Sequence, residues 1–314
     1  MTRPYDPTPL GKSLFFVCNI EGEPLKFIRK KSLSDVVDGK TILITGGSSG
    51  IGLAVAQCVA RAGAKTILVA RGVDALQSAK DEIASSGYEA HIYPADLSDT
   101  ESLEALMDRI QSDHGAIDIL INNAGRSIRR SVEASFERFH DFERTMQLNY
   151  FGALRMTLLA LPAMVERRRG HVINISSIGV QINSPRFAAY VASKSALDAF
   201  TRVAAAEFAK DAIRFTTVSM PLVRTKMIAP TEFSSHVPTM SPERAADIVS
   251  KAIIHHPKRV TTFLGWLGQV VYFLFPNSTQ MGLSKSFRSS QDSAAAKGVT
   301  TPQVGRSELD HDQK

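Results

Sequence analysis

Tyr190, Lys194 and Ser177 are the residues whose types and spacing first suggest chemistry. Tyr190 and Lys194 lie four positions apart in YVASK, so on a helix both project from one face, a turn apart. Ser177 lies 13 positions before Tyr190, where the apolar run HVINIS gives way to a polar stretch. A phenol, with its pKa about 10, is a poor acid–base group at neutral pH. A neighbouring ammonium, together with the positive charge of an oxidised nicotinamide, favours the phenolate, and a shift of two units corresponds to roughly 3 kcal/mol. Tuned in this way, Tyr190 can hand a proton to a carbonyl oxygen, or remove it in reverse. The Ser177 hydroxyl can donate to the same oxygen while negative charge develops there. Asn149, in QLNYFG, can hold a water that links Lys194 to bulk solvent. Each residue alone has a duller explanation; together they form a proton-transfer set for a carbonyl.

Such a set needs a scaffold and an electron source. TILITGGSSGIG (41–52) is a strand running into a glycine-rich turn that opens a helix. Gly46, Gly50 and Gly52 permit a tight turn and close backbone approach, and the helix N-terminus offers free N–H groups to a pyrophosphate. The spacing is G-x-x-x-G-x-G, not the G-x-G-x-x-G of many dinucleotide folds. At the end of the next strand an NAD site wants a carboxylate for the ribose 2′-hydroxyl. TILVARGVD instead holds Ala70 and then Arg71, whose guanidinium can grip a 2′-phosphate, so NADPH is the expected cofactor. Asp96 follows the third strand, where it can accept from the adenine amine or cap the next helix. NNAG (122–125) ends the fourth strand in a turn that can pass beneath the ribose.

The elements that position these residues are legible as a pattern. Short apolar runs (TILIT, TILVA, AHIYP, IDILIN, HVINIS, IRFTTVS) alternate with stretches of helical period. Alternation of this kind implies right-handed crossovers and a parallel sheet covered on both faces. The expected fold is α/β, a Rossmann-like doubly wound sheet of about seven strands in one domain spanning 38–275. Residues 1–37 precede it as an extension with a basic knot at Arg29, Lys30 and Lys31, and 284–314 is expected to be a disordered polar tail. FLGWLGQVVYFLF (263–275) is nearly uncharged but short of the roughly 20 residues that span a bilayer. It reads either as a last element packed on the core or as an apolar lid or peripheral membrane contact.

With 314 residues the chain is long enough for one large core, and its formal net charge of +6 suits anionic ligands without requiring nucleic acid. No RNA-binding signature and no metal-ligand spacing is present, so neither partner is expected. Two cysteines, Cys18 and Cys58, make no disulfide framework, which fits a cytoplasmic protein. No stretch near the start reads as a signal peptide.

TGGSSGIG, NNAG, Asn149, Ser177 and YVASK together resemble the short-chain dehydrogenase/reductase family over about residues 38–262. The resemblance implies Tyr190 as acid/base, Lys194 as its activator and ribose ligand, Ser177 as carbonyl stabiliser and Asn149 as relay. It also implies cofactor contacts from Gly46, Ser48, Ser49, Gly50, Ile51, Gly52, Arg71, Asp96, Leu97, Asn123, Ala124, Gly125, Tyr190 and Lys194. In the family a Pro-Gly turn precedes a nicotinamide-binding Val/Ile and Thr; here the chain reads MPLVRT, with Pro221 in the glycine's place. Val223 and Thr225 are carried over as contacts on a stiffer backbone. Members usually pair through the helices that bear Asn149 and Tyr190, so a homo-oligomer, dimer or tetramer, is expected.

Two longer stretches, 122–153 and 220–249, together with AIIHHPKRVTTFLG, resemble the bacterial long-chain fatty acyl-CoA reductases that form aldehydes. That resemblance implies a long-chain acyl-CoA substrate, lipid metabolism of the wax-ester kind, and hydride delivered directly to a thioester carbonyl. A route through an acyl-enzyme would need a thiol nucleophile. Cys58 lies inside the first helix after the glycine turn and Cys18 before the domain, so neither is placed for it. Arg126, Arg129 and Arg130 follow NNAG and are candidates for the CoA phosphates; the apolar residues of 226–240 and 263–275 are candidates for an acyl channel. Two alternatives stay open: a ketone reductase for a ketoacyl, steroid or other lipid carbonyl, and a nucleotide-binding sensor without chemistry.

Overall fold

A computed structural model describes residues 31–228 and 239–289, and the backbone of 15–16. Seven strands run parallel: β2 (Thr41–Thr45), β3 (Lys65–Ala70), β4 (Ala90–Pro94), β5 (Ile119–Asn122), β6 (Gly170–Ser177), β7 (Ile213–Met220) and β8 (Arg259–Thr262). A two-residue strand, β1 (Phe15–Phe16), pairs antiparallel with β8, Phe15 opposite Thr262 and Phe16 opposite Thr261. The order across the sheet is β1-β8-β7-β6-β5-β2-β3-β4. All six apolar runs singled out in the sequence are strands, and β8 is the seventh.

The strands are apolar on both faces because helices cover both. In β2, Ile42 and Ile44 pack with Val55 and Val59 of the helix Gly50–Arg61 and with Val249 and Ile253 of the helix Pro242–His255. Leu43, pointing the opposite way, packs with Met107 of the helix Leu103–His114 and Met156 of the helix Ala153–Glu166. A period of two within a strand thus feeds two separate cores. Each such side chain, wholly removed from water, contributes roughly 1.5–3 kcal/mol before entropy is counted.

The chain leaves β2 for one side of the sheet and β5 for the other, so a crevice opens outside their C-terminal ends, the place where ligands sit in open α/β sheets. Pro221 costs the sheet nothing. The β6–β7 ladder ends at Ser177 opposite Met220, so the N–H that proline lacks falls just beyond the last pair.

Three sequence expectations change at the margins. Val37, on a short helix Ser34–Val37 inside the expected extension, is fully buried in the core. The last helix, Pro276–Ser289, continues past the start expected for the polar tail. In the helix Phe263–Leu274 only Gly265 is buried, so most of this segment is not packed on the core. The basic knot's Arg29 and Lys30, and the tail beyond 289, lie outside the described residues.

Candidate active site

A cleft of about 560 Å³ lies at the crevice, and Ser177, Tyr190 and Lys194 stand together in its wall. Ser177 is the last residue of β6, while Tyr190 and Lys194 sit in the first two turns of the helix Ala188–Glu207. The Ser177 hydroxyl hydrogen-bonds the Tyr190 phenol and also accepts from the Gly179 N–H at 3.1 Å. Lys194 Nζ donates to the Ile175 carbonyl at 2.8 Å, which fixes the ammonium beside β6.

Burial dominates the electrostatics. It pushes the Tyr190 phenol up to about 12, with the Ser177 hydrogen bond acting in the other direction. It also pulls Lys194 down to about 8. The expected acidification concerns the phenol beside both Lys194 and the positive charge of an oxidised nicotinamide; in the protein alone, burial sets the direction. The consequence is a protonated phenol beside an ammonium at neutral pH, which is the form that can donate to a carbonyl oxygen.

Asn149 is fully buried in the π-helical segment Gln147–Gly152 and does not line the cleft. Its Oδ1 accepts from the Arg126 N–H at 2.7 Å, and its Nδ2 donates to the Arg126 carbonyl and to Ser193 Oγ, both at 2.9 Å. The side chain ties the loop after β5 to the helix of Tyr190, and both of its donors are spent on protein. That gives Asn149 a positioning role; the expected water relay has only a remaining oxygen lone pair to use. Ser193, in the middle of YVASK, was missed as the partner that anchors it, and Ser193 Oγ in turn donates to the Tyr190 carbonyl at 2.8 Å.

The glycine turn has the backbone expected of an anion cradle. Gly46 and Gly50 have φ of +65° and +56°, and Ser49 makes no side-chain cap, leaving the first N–H groups of the helix Gly50–Arg61 open to the cleft. Gly46, Ser48, Ser49, Gly50 and Ile51 all line it. Gly52 does not; a Cβ there would stand 2.3 Å from the Gly46 carbonyl oxygen, so this glycine lets the helix pack on its own turn. Asn123 Nδ2 holds the turn from the other side, donating to the Thr45 and Gly46 carbonyls at 3.0 and 3.2 Å. Thr45, another residue missed in the sequence, receives the Asn123 and Ala124 N–H groups on its Oγ1.

Arg71 lines the cleft just after β3 with its side chain mostly exposed, in a long 3.9 Å ion pair with Asp96. Ala95 and Leu97 are in the wall, but Asp96 is not. Its Oδ1 accepts from the Ser98 N–H at 2.9 Å, and the following helix begins only at Leu103, so Asp96 is not that helix's cap. Ala124, Gly125, Val223 and Thr225 also line the cleft, and Thr225 is seated against Gly50. Val223 is fixed by pairing across to Met240, with Arg224 N–H on the Met240 carbonyl at 2.9 Å.

The arginines after NNAG are less free than their sequence suggests. Arg130 is nearly buried, its Nε 3.2 Å from the buried Asp141 carboxylate, which also receives Arg138 and Arg144. Burial alone would raise the Asp141 carboxyl. The Arg138 hydrogen bond and the charges of Arg144, Arg138 and Arg130 outweigh that and hold it below its usual value. Neither Arg126 nor Arg129 lines the cleft. Of the expected acyl channel, Lys226, Met227 and Ile228 line the cleft, 229–238 lie outside the described residues, and nothing from 263–275 is in its wall. Beside Met227, the apolar wall near Tyr190 is built by Ile178, Ile182, Phe187, Val191 and Leu222, which the sequence reading missed. Cys58 is outside the wall, and burial raises its thiol.

The family model for short chain dehydrogenases matches residues 40–234. The chain belongs to the short-chain dehydrogenase/reductase family. Among relatives of this oxidoreductase, a fatty acyl-CoA reductase from Acinetobacter baylyi is 52% identical, covering 83% of this chain and 89% of that protein. A fatty acyl-CoA reductase of Mycobacterium tuberculosis is 42% identical, covering 76% and 81% respectively. A solved metagenomic short-chain oxidoreductase, in complex with NADP, aligns with a TM-score of 0.61 at 28% identity, covering 69% of this chain and 92% of its own.

Proposed function

We propose that this enzyme reduces long-chain fatty acyl-CoA to fatty aldehyde and free CoA, with NADPH as its cofactor. The observation that carries the reading is the apolar wall from Ile178 to Val191 beside the Tyr190–Ser177 pair, in a cleft that no cysteine of the described residues lines. Relatives named as fatty acyl-CoA reductases support the thioester as substrate.

The residues divide the work by chemistry. N–H groups at the start of the helix Gly50–Arg61 hold the pyrophosphate, and Arg71 meets the 2′-phosphate. When bound, NADPH supplies the hydride that the thioester carbon accepts. Ser177 and Tyr190 hold the carbonyl oxygen, and the phenol proton passes to that oxygen as its charge grows. The resulting hemithioacetal loses its hydroxyl proton as the C–S bond breaks, giving aldehyde and the CoA thiol. Lys194, as an ammonium, steadies the phenolate left behind.

Pairing of two copies is supported by Phe151, on the segment that bears Asn149, and Leu158, on the helix Ala153–Glu166 that follows it, both large apolar side chains left exposed. NADPH oxidation with a panel of saturated acyl-CoAs, followed together with thiol release, tests the reaction. Thiol appearing in step with NADPH loss is expected. No NADPH loss with these substrates, together with NADPH loss but no thiol release on a 3-ketoacyl-CoA, would instead assign a ketone reductase.

A further inference from the structure

The helix Phe263–Leu274 presents an apolar surface that the other described residues do not cover. Leu264, Leu267, Val271 and Leu274, at helical spacing, are 58%, 38%, 38% and 58% exposed, and Phe273 is 82% exposed. The opposite face is seated on the segment that lines the cleft: Gly265 lies against Ile178 and Gln181, Gly268 against Ile182, and Gln269 accepts from Gln181 at 3.2 Å. The last helix is fastened to the same segment, where the Arg186 guanidinium stacks 4.2 Å over the Phe287 ring and donates to its carbonyl.

Charge selects what covers this surface. From Ile248 to Gln291 the chain has no Asp or Glu, while it carries Lys251, Lys258, Lys285 and Arg288, besides Arg259, which the Asp198 carboxylate holds. Met281, Lys285 and Arg288 are exposed at i, i+4 and i+7 of the last helix, so an apolar side chain and two cations share one stripe. A second copy docking face to face would bring like charges together, because an isologous contact pairs a patch with itself. Anionic lipid headgroups complement the same surface. A helix of 12 residues rises about 18 Å, short of the ~30 Å hydrocarbon core, so it lies in the interface instead of crossing.

We infer that the helix pair 263–289 docks the enzyme on an anionic lipid bilayer, with the active-site segment 178–187 directly behind the docked face. The inference goes beyond the proposed reaction, and its test requires no turnover. Full-length protein is sedimented with phosphatidylcholine vesicles with and without phosphatidylglycerol. Strong co-sedimentation is expected only with phosphatidylglycerol. The pair Lys285→Glu and Arg288→Glu should weaken partitioning about tenfold or more, since each basic residue at an anionic surface is worth severalfold. Leu264→Ser with Phe273→Ser and Leu274→Ser should abolish it, with NADPH binding retained as the check on folding. Equal pelleting of parent and variants overturns the inference. So does a parent that stays in solution while the serine variant changes oligomeric state, which would assign the surface to a second copy.

Discussion

Gly52→Ala probes the packing on which the cofactor turn depends. A Cβ at this position stands 2.3 Å from the Gly46 carbonyl oxygen and 2.6 Å from Asn123 Nδ2. Both neighbours are committed, Gly46 by its positive φ and Asn123 by its two hydrogen bonds into the turn. The turn or the helix must retreat by roughly 0.7 Å to reach even the shortest tolerated contact, and overpacking of this kind costs about 1–3 kcal/mol. In a chain of this size that lowers the melting temperature by several degrees. Because the retreat moves Gly46 and the helix N-terminus apart, the dissociation constant for NADPH should rise about tenfold or more. Gly282→Ala is the control, since a Cβ there meets nothing within 4 Å and lies in a helix, where alanine is favoured by about 0.5–1 kcal/mol. Thermal melting with and without NADPH, plus a fluorescence titration, reads both effects. A Gly52→Ala protein that melts and binds like the parent would refute the packing argument.

Arg71→Ala should raise the KM for NADPH about tenfold or more and leave that for NADH nearly unchanged, measured by initial rates with each cofactor, because one charge-assisted contact to the 2′-phosphate is lost. Activity should fall as pH rises past about 8, where buried Lys194 loses its proton and its support of the phenolate, and a pH profile of kcat/KM reads this directly. Asp141→Asn should destabilise the protein by about 3 kcal/mol in chemical denaturation, since it leaves the nearly buried Arg130 without its carboxylate. Asp141 is held below its unfolded pKa, so its stabilisation is complete above that ordinary value and is lost as pH falls through the folded one. Parent and variant should accordingly converge in stability only in acid.

What the sequence made legible was whatever repeats with a period or needs a particular residue type. The two-residue alternation in TILIT and the glycine turn after it identify both the strand and the crevice beyond it. The candidate catalytic set could be read because Tyr190 and Lys194 share a helix face and Ser177 ends a strand. Partnerships made across the fold were not. Nothing in RSIRRS shows that Arg130 is claimed by Asp141, eleven residues on, and nothing in QLNYFG shows that both Asn149 donors are taken by Arg126 and Ser193. Burial of the Tyr190 ring was not legible for a related reason, since desolvation depends on everything packed around it and a local spacing sees only Lys194. The run 263–275 stayed ambiguous between core and exposed apolar surface because composition reports apolarity and does not say which side faces water.

Tyr190→Phe removes one hydroxyl from a ring already seated in the wall, so it tests proton donation with the least disturbance to packing. NADPH oxidation and thiol release with a long-chain acyl-CoA should both fall by about 10²–10⁴, with NADPH affinity and melting temperature close to those of the parent. Turnover within a few-fold of the parent, in a folded variant that binds NADPH, would contradict the assignment of Tyr190 as the group that protonates the carbonyl oxygen.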